Sequence, residues 1–138
     1  MPVSLKELID SYEFVSSSNG DAEAYLCKAT GRIYWRSELA GEDDCPDDVE
    51  DEDKYLAVPD KRQLDLGTHL VYEFAREFLP NDYEDIRDIF RRKGAYRRFK
   101  DLLERKGAVD AWYDFEAKAQ KEALRDWCEA KGLEVTEE

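Results

Sequence analysis

The sequence has few of the residues that most often build catalytic or metal sites. Its 138 residues include one histidine, His69, and three cysteines, none of them in a C-x-x-C spacing. It also lacks a G-x-S-x-G motif, a P-loop and a dinucleotide-binding motif. A zinc site formed by His69 and the three thiols would lack the short local ligand spacing usual for such sites. We therefore predict no catalytic residue, no metal ligand and no cofactor.

Long apolar runs are absent as well. No stretch approaches the roughly 18 apolar residues that a membrane helix needs, and residues 1–6 do not resemble the start of a signal peptide. Three cysteines leave one thiol unpaired in any arrangement, which is typical of a reducing compartment. These features predict a cytoplasmic protein that does not contact a membrane.

Carboxylates, in contrast, are abundant. The chain has 34 Asp and Glu residues against 21 Lys and Arg residues, which gives a formal net charge of -13. Aromatic residues make up 12% of the chain and supply large side chains for a core despite a mean hydropathy of -0.78. Length and composition together predict an acidic protein with a single domain over residues 1–138.

Residues 1–60 are expected to form a helix followed by a β-meander. Leu5, Leu8 and Tyr12 share one helix face, Ser4 and Glu7 form a capping box, and turn-forming residues at 16–21 end the helix. β-Favouring residues at 22–29 and 32–38 flank Thr30-Gly31, which predicts a two-residue hairpin turn with Leu26 opposite Trp35. A third strand is predicted at 55–58, ended by Pro59.

Residues 61–132 are expected to form four helices separated at Pro80, Gly94 and Gly107. Their apolar faces contain Phe74 and Phe78, then Tyr83 and Ile86, then Phe99 and Leu103, then Trp112, Phe115 and Trp127. We expect Trp112, Phe115 and Trp127 in the core. Strands and helices are thus segregated along the chain, which predicts an α+β fold: a small three-stranded antiparallel meander packed with a cluster of about four to five helices.

Residues 42–53, which we call the acidic loop, contain nine carboxylates in twelve positions and no basic residue. Repulsion at this density favours an extended, solvated loop. The loop could be a plain surface segment, a contact for a basic partner, a mimic of nucleic acid or a specific cation site. A calcium loop of the EF-hand type is disfavoured because no register places Gly at the sixth position and Glu at the twelfth.

Residues 87–106, which we call the basic segment, contain nine basic and three acidic residues, a local charge of +6. Such a segment could present a positive patch to phosphate or to an acidic partner. Its charge could equally be neutralised within the helix by i,i+4 pairs such as Arg97 with Asp101 and Lys100 with Glu104. The candidate binding residues are Arg91, Arg92, Arg97, Arg98 and Lys100.

The segments KGAYRRFKD at 93–101, DAWYDFE at 110–116 and RDW at 125–127 resemble a bacterial family known as uncharacterised protein family 0158. The resemblance also includes the hairpin at 25–35, so it covers nearly the whole chain. Arg92 and Tyr96 depart from the Gly and Phe that are common in the family at these positions. The resemblance implies a fold and a bacterial source, but no catalytic residue.

We therefore expect a non-catalytic interaction or regulatory protein that binds another macromolecule, foremost a protein, through the acidic loop, the basic segment or both. The alternative is a protein that binds nucleic acid or phosphate through residues 87–106, although a net charge of -13 opposes attraction to phosphate. A small hydrolase is the remaining alternative. The sequence does not indicate an oligomeric state.

Overall fold

The strands and most helices occur where the sequence places them. The structure, a computed structural model, describes residues 2–17, 21–39 and 41–137, and for Glu42 only the backbone. The elements within these residues are β1 Val3–Ser4, α1 Leu5–Ser17, β2 Ala22–Cys27, β3 Ile33–Ser37, β4 Glu42–Asp43, β5 Tyr55–Ala57, α2 Thr68–Phe78, a 3-10 turn Pro80–Asp82, α3 Tyr83–Ile89, α4 Ala95–Lys106, α5 Val109–Ala130 and β6 Val135–Thr136. The predicted α+β fold is confirmed.

The chain divides into two compact units. The sheet unit contains residues 1–64 and 121–138, and the helical unit contains residues 65–120. The long helix α5 begins in the helical unit and ends in the sheet unit. The first division falls four residues beyond the one expected at 60, and the single domain over 1–138 stays a prediction.

The sheet contains the three expected antiparallel strands and one additional short strand. Its order is β4-β3-β2-β5. The third predicted strand, β5, therefore pairs with β2, whereas a meander would place it beside β3. The cause is β4, which pairs with β3 and occupies the free edge of that strand. β5 therefore pairs with β2 on the opposite edge.

The register predicted for the hairpin is wrong by two residues. Leu26 lies opposite Ile33, and Trp35 lies opposite Ala24. The connection has four residues, since the Cys27 N–H donates to the Arg32 carbonyl at 2.8 Å and Gly31 adopts a φ of 77°. A two-residue turn of type I′ would require positive φ at Thr30 as well, which a β-branched residue disfavours. A shift of two leaves every side chain on its predicted face.

One face of the sheet packs against α1. Ala22, Ala24 and Leu26 are buried on this face, and Phe14 of α1 stacks on Trp35 with the ring centroids 4.6 Å apart. The predicted cap of α1 is present, because Ser4 Oγ accepts the Glu7 N–H at 3.3 Å. The helix ends at Ser17, and residues 18–20 of the predicted turn lie outside the described residues.

A parallel pair of two-residue strands, which the sequence did not predict, joins the two ends of the sheet unit. β1 pairs with β6, and the Val3 N–H donates to the Glu134 carbonyl at 2.8 Å. Val3 is fully buried there. A strand of two residues has too few side chains to show an alternating pattern, so no sequence signal marks it.

The helical unit is built around aromatic rings. Phe74 of α2, Phe99 of α4 and Trp112 of α5 are buried, with ring centroids 5.2 Å apart for Phe99 and Trp112 and 5.3 Å apart for Phe74 and Trp112. Gly94 and Gly107 flank α4 with φ values of 74° and 63°, as their positions predicted.

No helix in the described part of the chain is both long and apolar enough to cross a membrane.

Candidate functional site

The basic segment includes the end of α3, the turn at 90–94 and α4. Phe99, Leu102 and Leu103 form the buried face of α4. Helix geometry, at about 100° per residue, then directs the side chains at 97, 98 and 100 away from the core. All nine basic residues of the segment are exposed.

Most of these cations have no carboxylate partner. Arg92 lies 3.9 Å from Asp88, and Lys106 lies 3.5 Å from Asp82. Among the described residues, no carboxylate lies within ion-pair distance of the other seven, which include the predicted binding residues Arg91, Arg97, Arg98 and Lys100. The i,i+4 pairs that the sequence offered on α4 are not formed, so the charge of the segment stays available at the surface.

The cations of α4 are spread around its exposed side. Arg98 and Arg105, seven residues or about two turns apart, share one edge of that side, and Lys100 lies near the other edge. Arg97 lies between them, and Asp101 and Glu104 share this central strip. The structure therefore places Arg98 and Arg105 on one edge of α4 and spreads the predicted residues Arg97, Arg98 and Lys100 around its exposed side, while Arg91 and Arg92 lie in the turn before this helix.

Lys100 also borders a small cleft between α4 and α5. The cleft has a volume of about 190 Å³ and is lined by Tyr96, Tyr113 and the buried Trp112. Tyr96 and Tyr113 are each 47% exposed. Burial raises the pKa of Tyr96 above its ordinary value. The Tyr96 phenol therefore stays neutral at pH 7.

The acidic loop is not the extended segment that its charge suggested. Val49 is buried at 4% exposure, and Asp44 Oδ1 accepts the Trp35 N–H at 2.7 Å. Lys54 Nζ lies 3.0 Å from Asp48 Oδ2, and this hydrogen bond lowers the pKa of Asp48. Aspartate oxygens also satisfy backbone N–H groups within the turns, as Asp51 does for residue 53. These uses of the carboxylates oppose the repulsion that a charge count predicts.

The sheet face opposite α1 carries a compact polar cluster. Glu23 Oε2 accepts hydrogen bonds from the Arg36 guanidinium and, at 3.1 Å, from the Tyr25 hydroxyl. Burial and the Glu23 hydrogen bond raise the pKa of Tyr25. Burial raises the pKa of Cys45 to about 11. A thiol with such a pKa is largely protonated at pH 7, so Cys45 is a poor nucleophile.

A larger groove runs along β5 in the sheet unit, and we call it the edge groove. Its volume is about 980 Å³, and its lining includes Tyr25, Tyr55, Ala57 and Trp127 with Glu50 and Glu52. Trp127 is half-buried and lines the groove, so its predicted place in the core is wrong, whereas the half-buried Phe115 packs against the core cluster of the helical unit. The sequence analysis missed the groove, although Pro59 after the third strand is a signal of an edge strand.

The sequence contains few residues suited to binding a metal ion or to acid–base catalysis, with one His and three Cys. Within the residues that the structure describes, no group of three His, Cys, Asp or Glu side chains could hold a metal ion. His69 is exposed on α2, and its Nε2 lies 2.8 Å from Glu73 one turn further along. This is an exposed contact between side chains one helical turn apart.

Together these features define a small acidic α+β protein in which a helical unit exposes a basic segment and a sheet unit holds a groove along one strand edge. The chain belongs to the Uncharacterised protein family (UPF0158), whose model matches residues 1–138. The resemblance seen in the sequence is thereby confirmed. Neither the curated proteins nor the solved structures contain a match to this chain.

Proposed function

We propose that this chain is a non-catalytic interaction protein that docks an acidic surface of a partner protein through the basic segment. The observation that carries this proposal is the set of seven exposed cations without a carboxylate partner among the described residues. A protein with 34 carboxylates had many opportunities to neutralise them. Guanidinium groups left in this state can bind carboxylates of another chain in a bidentate manner.

The arrangement of charge on α4 favours a protein over nucleic acid. A phosphate backbone is matched best by a continuous basic stripe, whereas Asp101 and Glu104 share the exposed side of α4 with Arg97. A partner protein can place carboxylates against Arg97 and donors against Asp101. The net charge of -13 adds long-range repulsion toward phosphate.

The proposal places this binding protein in the bacterial cytoplasm. The bacterial assignment rests on the family resemblance. The compartment is supported by the three thiols Cys27, Cys45 and Cys128, which are all free.

The test compares two variants of equal charge. Arg97→Gln/Arg98→Gln removes two unpaired cations of α4, and Lys6→Gln/Arg62→Gln removes two exposed cations of the sheet unit. Both variants and the parent are cross-linked in native cells, and bound protein and nucleic acid are quantified with and without nuclease. We expect recovery of a partner protein to fall about tenfold for the first variant and to stay unchanged for the second.

Two outcomes would contradict the proposal. Equal recovery of every partner by Arg97→Gln/Arg98→Gln would remove the basic segment from binding. Loss of a bound nucleic acid, with protein partners retained, would favour the alternative of a nucleic-acid-binding protein. Thermal melting of each variant separates lost binding from lost folding.

A further inference from the structure

The edge groove contains unpaired backbone at the end of the sheet. β5 pairs with β2 on one side, and on its other side no strand of the described chain pairs with it. Val58 N–H donates to the Ala24 carbonyl at 2.8 Å, and Lys28 N–H donates to the Lys54 carbonyl at 2.9 Å. Because an antiparallel ladder alternates, Ala57 between these positions directs its N–H and C=O away from β2. Ala57 is exposed.

The backbone of Tyr55 extends this free edge by one carbonyl. Tyr55 lies opposite Cys27 at a position equivalent to that of Ala57. Its N–H is already bound to the Asp51 carbonyl at 3.0 Å, which holds the start of the strand in place. The outward groups of β5 are therefore the Tyr55 C=O and both backbone groups of Ala57, enough to pair with a short extended segment.

Aromatic side chains form the walls of the groove beside this edge. Tyr25, Tyr55 and Trp127 line it, and all three are half-buried. Tyr55 is held by an edge-to-face contact with Tyr34 at 6.3 Å between centroids. Rings of this size, fixed in place and partly wet, are typical anchors for an incoming apolar side chain.

The rim of the groove is acidic. Glu50 and Glu52 are exposed and line it, and Lys131 is the one cation among the lining residues described. The Glu52 carbonyl accepts a hydrogen bond from Lys28 Nζ at 2.9 Å, which fixes the loop backbone there. A negative rim held at a fixed position attracts a positively charged segment and repels an acidic one.

We propose that the edge groove binds an extended, lysine- or arginine-rich segment of another protein, which adds as a strand to β5. The free backbone of Ala57 pairs with the segment, Trp127 contacts an apolar side chain of it, and Glu50 and Glu52 face its cations. This surface is separate from the basic segment and takes a partner of the opposite charge.

The probe is the octapeptide acetyl-(Lys-Val)4-amide, labelled with fluorescein and titrated with the full chain. The comparison peptide, acetyl-(Glu-Val)4-amide, has the same strand pattern and the opposite charge. We expect saturable binding of the lysine peptide only. Amide chemical-shift changes should concentrate at residues 55–58 and at the Trp127 indole.

Three pairs of variants separate the contributions. Ala57→Pro removes the outward backbone N–H, whereas Ala57→Val keeps this N–H and adds a side chain similar in size to that of proline. Glu50→Gln/Glu52→Gln neutralises the rim, whereas Asp10→Asn/Glu13→Gln neutralises two exposed carboxylates of α1. Trp127→Ala removes the anchor, and Trp127→Phe retains a ring. The first member of each pair should weaken binding, about tenfold for positions 57 and 127 and about threefold for the rim.

Binding of equal strength to Ala57→Pro and Ala57→Val would overturn strand addition. Equal losses for the rim and α1 carboxylate variants would show attraction to net charge alone and would overturn the site. If the chain dimerises in sedimentation and only Ala57→Pro abolishes the dimer, a second copy is the occupant and the proposed partner is wrong. If a variant melts at a lower temperature than the parent, the chemical shifts of the parent decide instead. Shift changes on peptide binding that lie outside residues 55–58 and the Trp127 indole would overturn the proposal. Arg97→Gln/Arg98→Gln should bind the peptide normally, which keeps this test independent of the basic segment.

Discussion

The two units of this protein differ most in charge. The sheet unit has 10 basic and 22 acidic residues, a formal charge of -12, whereas the helical unit has 11 basic and 12 acidic residues, a formal charge of -1. The overall charge of -13 therefore comes almost entirely from the sheet unit, and the helical unit is nearly neutral. A partner that approaches the helical unit meets a nearly neutral body with a basic segment on it.

The units also use their charged side chains differently. In the sheet unit, Glu23 binds Arg36, and Asp44 accepts a backbone N–H. In the helical unit, Arg97 and Arg98 are exposed and have no carboxylate partner among the described residues. Charges that satisfy internal groups support the fold, and charges left at the surface are available for binding.

The largest expected effect is the loss of stability when a buried aromatic ring of the helical unit is removed. Phe74→Ala should lower the free energy of unfolding by about 3 to 5 kcal/mol, because the ring is fully buried against Trp112 and Phe115. Trp127→Ala in the sheet unit should cost less than about 2 kcal/mol, because Trp127 is half-buried in a groove. Urea denaturation measures both. Equal costs would show that Trp127 is a core residue after all.

The acidic loop tests whether a buried side chain holds the highly charged segment of the sheet unit in place. Val49→Ala should cost about 1 to 2 kcal/mol, because the two lost methyl groups belong to a side chain that is only 4% exposed. Asp47→Ala, at an exposed position of the same loop, should change stability by less than about 0.5 kcal/mol. A loop that was extended and solvated would make both substitutions neutral.

The helices were predictable because their signals are local. Apolar spacing and the positive-φ glycines Gly94 and Gly107 placed α4 within a residue or two. The faces of the hairpin strands were predictable for the same reason, since a period of two survives a register error. The turn length was not, because it depends on which residue adopts positive φ, and Gly31 alone does so here.

Features that depend on distant pairing were not predictable. The strand order follows from β4 on the edge of β3, and β4 has only two residues. Charge counting found the candidate residues of the basic segment but could not decide whether Arg97 pairs with Asp101. The edge groove requires Tyr55 and Trp127 to meet, and they are 72 positions apart in the sequence.

Arginine substitutions provide a smaller and sharper contrast between the units. Arg36→Gln should destabilise the sheet unit by about 1 kcal/mol, because Arg36 binds Glu23 and its guanidinium lies 5.4 Å from the Tyr25 ring. Arg97→Gln/Arg98→Gln should change stability by less than about 0.5 kcal/mol despite removing twice the charge. Thermal melting of both variants checks this order, and a larger loss from the α4 variant would mean that its arginines support the fold.

The smallest expected effect is a pH dependence that the thiols of the sheet unit contribute, since Cys27, Cys45 and Cys128 all lie there. Burial raises the pKa of Cys128 from 9.0 to about 11. Between these values the unfolded chain releases the proton and the folded chain keeps it, so stability falls as the pH rises. Cys27 provides the opposite sign, since the Thr30 hydroxyl donates a hydrogen bond to its thiolate, which lowers the pKa of Cys27 and favours the folded state at high pH. Relative to the parent, Cys128→Ala should therefore flatten the decline of the urea midpoint between pH 8 and about 10.5, whereas Cys27→Ala should steepen it, with reductant present throughout. Parallel curves for the two variants would mean that neither thiol is perturbed in the direction its surroundings require.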